Sequence, residues 1–64
     1  MIVCEADVYI LENGEEMLFI KSADTITPYD DRLIIKDIFG HKEIIKARIK
    51  ELRLVDHQII IEKI

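Results

Sequence analysis

Apolar and polar residues alternate with a period of two along most of this chain. From Val3 to Leu11, Cys4, Ala6, Val8 and Ile10 fall on one side while Glu5, Asp7 and Tyr9 fall on the other. That is the pattern of a strand with one buried face. Glu12-Asn13-Gly14-Glu15 follows, and Asn-Gly is the strongest short hairpin signal because both residues accept positive φ. Met17 to Ile20 is then the returning strand, apolar on both faces. Ser22 to Asp31 reads as an irregular connection, with Thr25-Ile26-Thr27 at most a short strand inside it. Pro28 cannot hold a central ladder position, and Tyr29-Asp30-Asp31 is turn material. Leu33 to Ile38 predicts another strand, closed by a turn at Phe39-Gly40-His41.

Lys42 to Leu52 fits two patterns. Ile45, Ala47 and Ile49 alternate with Lys46, Arg48 and Lys50, yet Ile45, Ile49 and Leu52 also fit a helical stripe. Gly40-His41-Lys42 is a poor helix cap and hairpins lie on both sides, so the prediction is a strand, bent near Lys50-Glu51. Asp56-His57-Gln58 separates Leu52–Val55 from Ile59–Glu62, which predicts a final hairpin. The sum is an all-β fold: five or six short antiparallel strands in a single small β-barrel or sandwich domain spanning residues 1–64. Core candidates are Ala6, Val8, Ile10, Phe19, Leu33, Ile35, Ile45, Ala47, Ile49, Leu54, Ile59 and Ile61.

Composition supports this. Fourteen residues are Ile and three are Val, against five Leu and three Ala, and stiff β-branched side chains suit a pleated, half-buried surface. Half of the 64 residues are apolar and the net charge is only −4, which excludes a disordered chain. No apolar run exceeds four residues, so no membrane span or secretory signal is expected. A single cysteine, Cys4, cannot form an internal disulfide, and a cytoplasmic protein is expected. A chain this short buries only about 60% of its unfolded surface, so a metal, oligomerisation or both must supplement the core. Several stretches are apolar on both faces: Leu18/Phe19/Ile20, Ile34/Ile35, Ile44/Ile45 and Ile59/Ile60/Ile61. Their surplus side chains predict a homodimer, since monomers avoid large exposed apolar patches.

Little here supports catalysis. The nucleophile candidates are Cys4, Ser22, Thr25 and Thr27, and the only imidazoles, His41 and His57, fall in predicted turns. Two distant glycines make no phosphate loop, and a barrel of this size fills its interior with side chains. An enzyme is not expected. Nucleic-acid binding needs a basic face with aromatic platforms. Lys36, Lys42, Lys46, Arg48, Lys50 and Arg53 concentrate in the second half, and Lys46, Arg48 and Lys50 would share one strand face. A negative net charge, no Trp and four aromatics weigh against RNA, and such a face usually serves to blunt edge pairing. A lone Cys is commonly a small buried hydrophobe. The functional alternative is a thiolate metal ligand near the terminus, for which a symmetric dimer would offer two.

Cys4-Glu5-Ala6-Asp7-Val8-Tyr9 resembles the start of the CooT family, small proteins tied to nickel supply for carbon monoxide dehydrogenase. The resemblance continues through Asn13-Gly14-Glu15-Glu16, Asp37-Ile38-Phe39-Gly40, Arg48-Ile49-Lys50-Glu51 and Leu54-Val55-Asp56-His57. Each string is weak alone; their order and spacing are fairly specific. The resemblance implies an SH3-like barrel, a homodimer and nickel(II) bound through Cys4. That family is also catalogued as predicted RNA-binding proteins, a label resting on fold analogy. In the family pattern the cysteine follows the initiator Met, whereas Met1-Ile2-Val3 precede it here. Translation from position 3 is therefore expected, giving a native Met-Cys-Glu start. Two Cys4 thiolates across a two-fold axis, each with a backbone or terminal nitrogen, would supply the S₂N₂ set that nickel(II) accepts. The expected function is a metallochaperone-like accessory protein serving carbon monoxide dehydrogenase or a related nickel enzyme. An RNA-binding module and a purely structural dimerisation module are the competing classes.

Overall fold

Turn chemistry sets the frame of the molecule, whose computed structural model describes residues 4–64. The expected translation start falls on residues 1–3, outside the described residues. Asn13 and Gly14 sit at φ 54° and 79° and join β1 (Ala6–Glu12) to β2 (Glu15–Tyr29). Asp30, at φ 55°, turns β2 into β3 (Arg32–Asp37). Asn and Asp tolerate this left-handed region better than other side chains, which is why both turns could be placed from sequence. β4 (Lys42–Ile45), β5 (Ala47–Arg53) and β6 (Gln58–Lys63) complete a six-stranded sheet in the order β4-β3-β2-β1-β6-β5. The sheet curls into an open barrel and contains no helix among the described residues. No helix is long and apolar enough to cross a membrane.

Three features depart from the sequence reading. The first is one parallel pair: β6 runs alongside β1, with Ile59 opposite Val8 and Ile61 opposite Ile10. Chain ends that return to the same sheet pair by their apolar complementarity, which a purely local reading does not report.

The second is the stretch Ser22–Asp31, predicted to be irregular. Its residues Ser22–Tyr29 are strand, the distal half of the fifteen-residue β2, and only Asp30-Asp31 forms the expected turn. The first half of β2 pairs with β1 and the second with β3, and the register shifts between them. Ser22, at φ 58°, marks the bend. Its N–H donates to Asp7 Oδ1 at 2.9 Å and its carbonyl accepts the Ile38 N–H at 3.0 Å. Turn-forming residues here mark a pinned bulge inside a strand, not a loop. Pro28 is accommodated because the distal half of β2 has only β3 as a neighbour.

The third concerns the bends and the core. The Lys42–Leu52 segment is strand as predicted, but its sharp bend is at Lys46, between β4 and β5. The register shift near Lys50 is a separate bulge. The last turn is Leu54–His57, so Leu54 is 76% exposed where a core residue was expected. Ile49 is also partly exposed. The observed core joins Val8, Ile10, Ala23, Leu33, Ile35, Ala47 and Ile61, with Phe19, Ile20, Ile26, Ile45 and Ile59 packed against it. Ala23 and Ile60 are buried without having been expected in the core. By its register opposite Tyr9, Ile60 belongs to the outward face, the opposite one from Val8, Ile10 and Ile61.

Candidate functional site

Because the sheet does not close fully, the barrel opens at two mouths, and Cys4 lies at one of them. It is exposed, two residues ahead of β1, so it is not the small buried hydrophobe that is the commonest fate of a lone Cys. It lines a cavity of about 350 Å³ together with Ala6, Ala23, Ile26, Ile49, Leu52, Leu54 and His57. Pairing explains this lining. Ala6 faces Ala23 across β1–β2, and Leu52 faces Ile59 across β5–β6. Leu52 therefore points to the same side as the core but lies beyond its filled part and stays half exposed. Leu54 and Val55, at 76% and 92% exposure, form an aliphatic tip on the same turn as His57. An exposed thiol, an imidazole and a mainly apolar surround, with Glu5, Asp24, Arg53 and Gln58 also on the wall, thus share one mouth.

Local hydrogen bonds hold this mouth in shape. The Asp7 N–H donates to the His57 carbonyl at 2.9 Å, tying the last turn to β1 while the Asp7 carboxylate pins the Ser22 bulge. His57 itself has φ 56°. Asp7 is a positioning residue that the sequence reading passed over. Its only signal there was a carboxylate on the polar side of a strand, which does not separate a clamp from a solvated charge.

The two histidines part company. His57 shares the cavity wall with Cys4. His41 lies in the β3–β4 turn with Phe39, where its Nδ1 is 3.0 Å from Asp37 Oδ2. Desolvation tends to push the Asp37 carboxyl up. Hydrogen bonds from the His41 main chain and ring and from the Phe39 N–H outweigh it and hold the group below its ordinary value. Asp37 thereby serves as the clasp of the Phe39-Gly40-His41 turn. Within the described residues of one chain, no three or more His, Cys, Asp or Glu side chains are grouped to hold a metal ion. A closed metal site at Cys4 needs donors from a second molecule or from beyond residues 4–64.

The basic residues of the second half do not form one stripe. Lys46 sits in the bend, 3.3 Å from Asp31. Arg48 binds Glu62 at 2.9 Å, and this hydrogen bond keeps the Glu62 carboxyl below its ordinary value. Arg53 reaches Glu16 at 2.9 Å and Glu51 at 3.1 Å and touches Gln58. These bonds lower Glu16 and raise Arg53. Lys50 falls in the β5 bulge. The expected shared face of Lys46, Arg48 and Lys50 is thus interrupted by a bend, by a bulge and by neighbouring carboxylates.

Comparison with known proteins follows this geometry. The family model described as CO dehydrogenase accessory protein CooT matches residues 3–62. A crystal structure of a protein assigned as CooT from Carboxydothermus hydrogenoformans is 41% identical. It superposes with a TM-score of 0.89, covering 95% of this chain and 98% of that one. No curated protein sequence matches.

Proposed function

The chain belongs to the CooT family of CO dehydrogenase accessory proteins, and from that premise we propose that it handles nickel(II) as cargo for such an enzyme. One ion is held between the Cys4 thiolates of two copies. The observation that carries this reading is the setting of Cys4: an exposed thiol on the wall of an apolar mouth fringed by Leu52, Leu54 and Val55. Covering that fringe with the same surface of a second copy removes aliphatic area from water, at roughly 25 cal/mol per Å². A two-fold contact there sets the two thiols face to face. Thiolate sulfur with nitrogen is a donor set nickel(II) accepts, and His57 on the same wall offers an imidazole. A site built from two chains opens when they separate, which suits cargo that must be passed on. Because the bound form is thiolate, nickel binding displaces a proton and weakens as pH falls.

Native mass spectrometry with added nickel(II) tests the reading, with one ion per dimer as the expected result. Replacing Cys4 by Ser should remove the near-ultraviolet thiolate-to-nickel absorption while leaving the fold and dimer in place. If the Ser variant binds nickel as well as the parent, Cys4 is not the ligand, and His57 and then His41 are next to test. Leu54→Glu with Val55→Glu should separate the copies and abolish the bridged site. A dimer unchanged by that pair would place the contact elsewhere.

A further inference from the structure

The second mouth of the barrel has a different chemistry. A groove of about 520 Å³ runs between the tip of the β1–β2 hairpin and β4, floored by Ile10, Met17, Phe19, Ile44 and Ile45. Met17, Leu18 and Ile44 are each more than half exposed, and Phe39 on the neighbouring turn is 72% exposed. Glu12 and Glu15 face each other directly across the hairpin, and Glu43 stands on the β4 side. None of the three makes an ion pair among the described residues, whose bridges are formed by Asp31, Asp37, Glu16, Glu51 and Glu62. Like charges directly opposite on a sheet cost stability, and Lys63, the cation that lines the groove on the β6 side, forms no ion pair with any of the three among the described residues. β4, which borders the groove, is an outermost strand that pairs only with β3. Its other edge presents unpaired main-chain groups to any extended chain.

We infer that this mouth docks an extended segment of a partner protein in which lysine or arginine alternates with aliphatic residues, added as a strand along the free edge of β4. Main-chain pairing with Lys42–Ile45 gives the segment its direction, and the period of two does the rest. One row of side chains lays its apolar parts over Met17, Phe19 and Ile45. Its cationic heads meet Glu12, Glu15 and Glu43, relieving the Glu12–Glu15 repulsion. A second copy is the weaker candidate. The molecule carries net charge −4, and its own basic strand, β5, already spends Arg48 on Glu62 and Arg53 on Glu16 and Glu51. The surface is formed without Cys4, so the inference stands or falls apart from the nickel reading.

The test is a titration of the uniformly ¹⁵N-labelled full chain with a capped peptide of alternating Lys and Val, followed by amide shifts. Shifts concentrated at 42–45 and along 10–19 are expected. Replacing Lys by Glu in the peptide should abolish them. Methylating alternate peptide nitrogens, which removes strand pairing while keeping charge, should weaken binding about tenfold or more. Glu12→Lys with Glu43→Lys in the protein should also weaken binding about tenfold, and added salt should weaken it further. Cys4→Ser should change nothing. Shifts that ignore the charge reversal, or that gather at the Cys4 mouth, overturn the inference. So do shifts at 42–45 that appear on raising the protein concentration without peptide, which assign the edge to a second copy.

Discussion

The two mouths of this barrel share one apolar core and differ almost wholly in their rims. At the Cys4 mouth the rim is mainly aliphatic, with Glu5, Asp24, Arg53 and Gln58 also on the wall, a thiol and an imidazole are its soft donors among the described residues, and hydrogen bonds at Asp7 hold its turns. At the other mouth the floor is equally apolar, but Glu12 and Glu43 line it beside Lys63, with Glu15 opposite Glu12, and none of these forms an ion pair among the described residues. On the two proposals above, a small barrel separates two tasks by rim chemistry. The soft, apolar end suits self-association around a metal, and the acidic end with a free strand edge suits a basic partner chain. Neither needs the core to change.

The most damaging way to erase the distinction is to weaken the core that both ends share. Ile61 is fully buried opposite Ile10 and beside Val8 in register. Ile61→Ala should cost about 2–5 kcal/mol by lost burial and the cavity left behind. Denaturant unfolding should show it as a lowered midpoint with unchanged slope.

Asp7→Ala should act at one end only. It leaves the Ser22 N–H without its acceptor, a cost of about 1–3 kcal/mol, while Asp7→Asn retains an acceptor and should lose less. Hydrogen exchange should speed up around 21–24 and 54–58 and stay slow at 10–19. Equal acceleration at both mouths would mean the two ends are not independent.

Acid should loosen a third region, the paired carboxylates outside both mouths. Asp37, Glu16 and Glu62 are all held below their ordinary values. Their contribution is therefore full above the ordinary carboxylate range, about pH 4, and is lost as pH falls through the lower folded values. Glu16 and Glu62 keep about a third of their side chains in water and contribute little each, whereas the more covered Asp37 should contribute the larger share. A stability profile below about pH 5 should decline gently, and Glu62→Gln should flatten part of it.

The smallest effect sharpens the comparison most. Glu15→Lys replaces a like-charge pair by an opposite one across the hairpin and should stabilise the free protein by about 0.2–1 kcal/mol. The same change should weaken basic-peptide binding at that mouth. A destabilised Glu15→Lys protein would mean the Glu12–Glu15 apposition carries no strain.

What was legible in the sequence was whatever depends on neighbours along the chain. Period-two alternation marked the strands, Asn13-Gly14 marked the first turn, and the family strings marked Cys4 as the residue to watch. Val8, Ile10, Leu33, Ile35, Ala47 and Ile61 were placed in the core because alternation assigns faces without knowing the partner strand. Tertiary structure decided everything that depends on which strands meet. β6 joins β1 in parallel, the distal half of β2 leaves β1 for β3, and Leu54 swings from an expected core position to an exposed tip. Asp7 became a clamp only because the chain brings Ser22 and His57 to it, and Glu43 came to share a groove with Glu12 through β4. The physical reason is range. Side-chain alternation and turn preference are set within a few residues, whereas pairing, curl and rim chemistry are set by segments tens of residues apart competing to bury the same apolar surface.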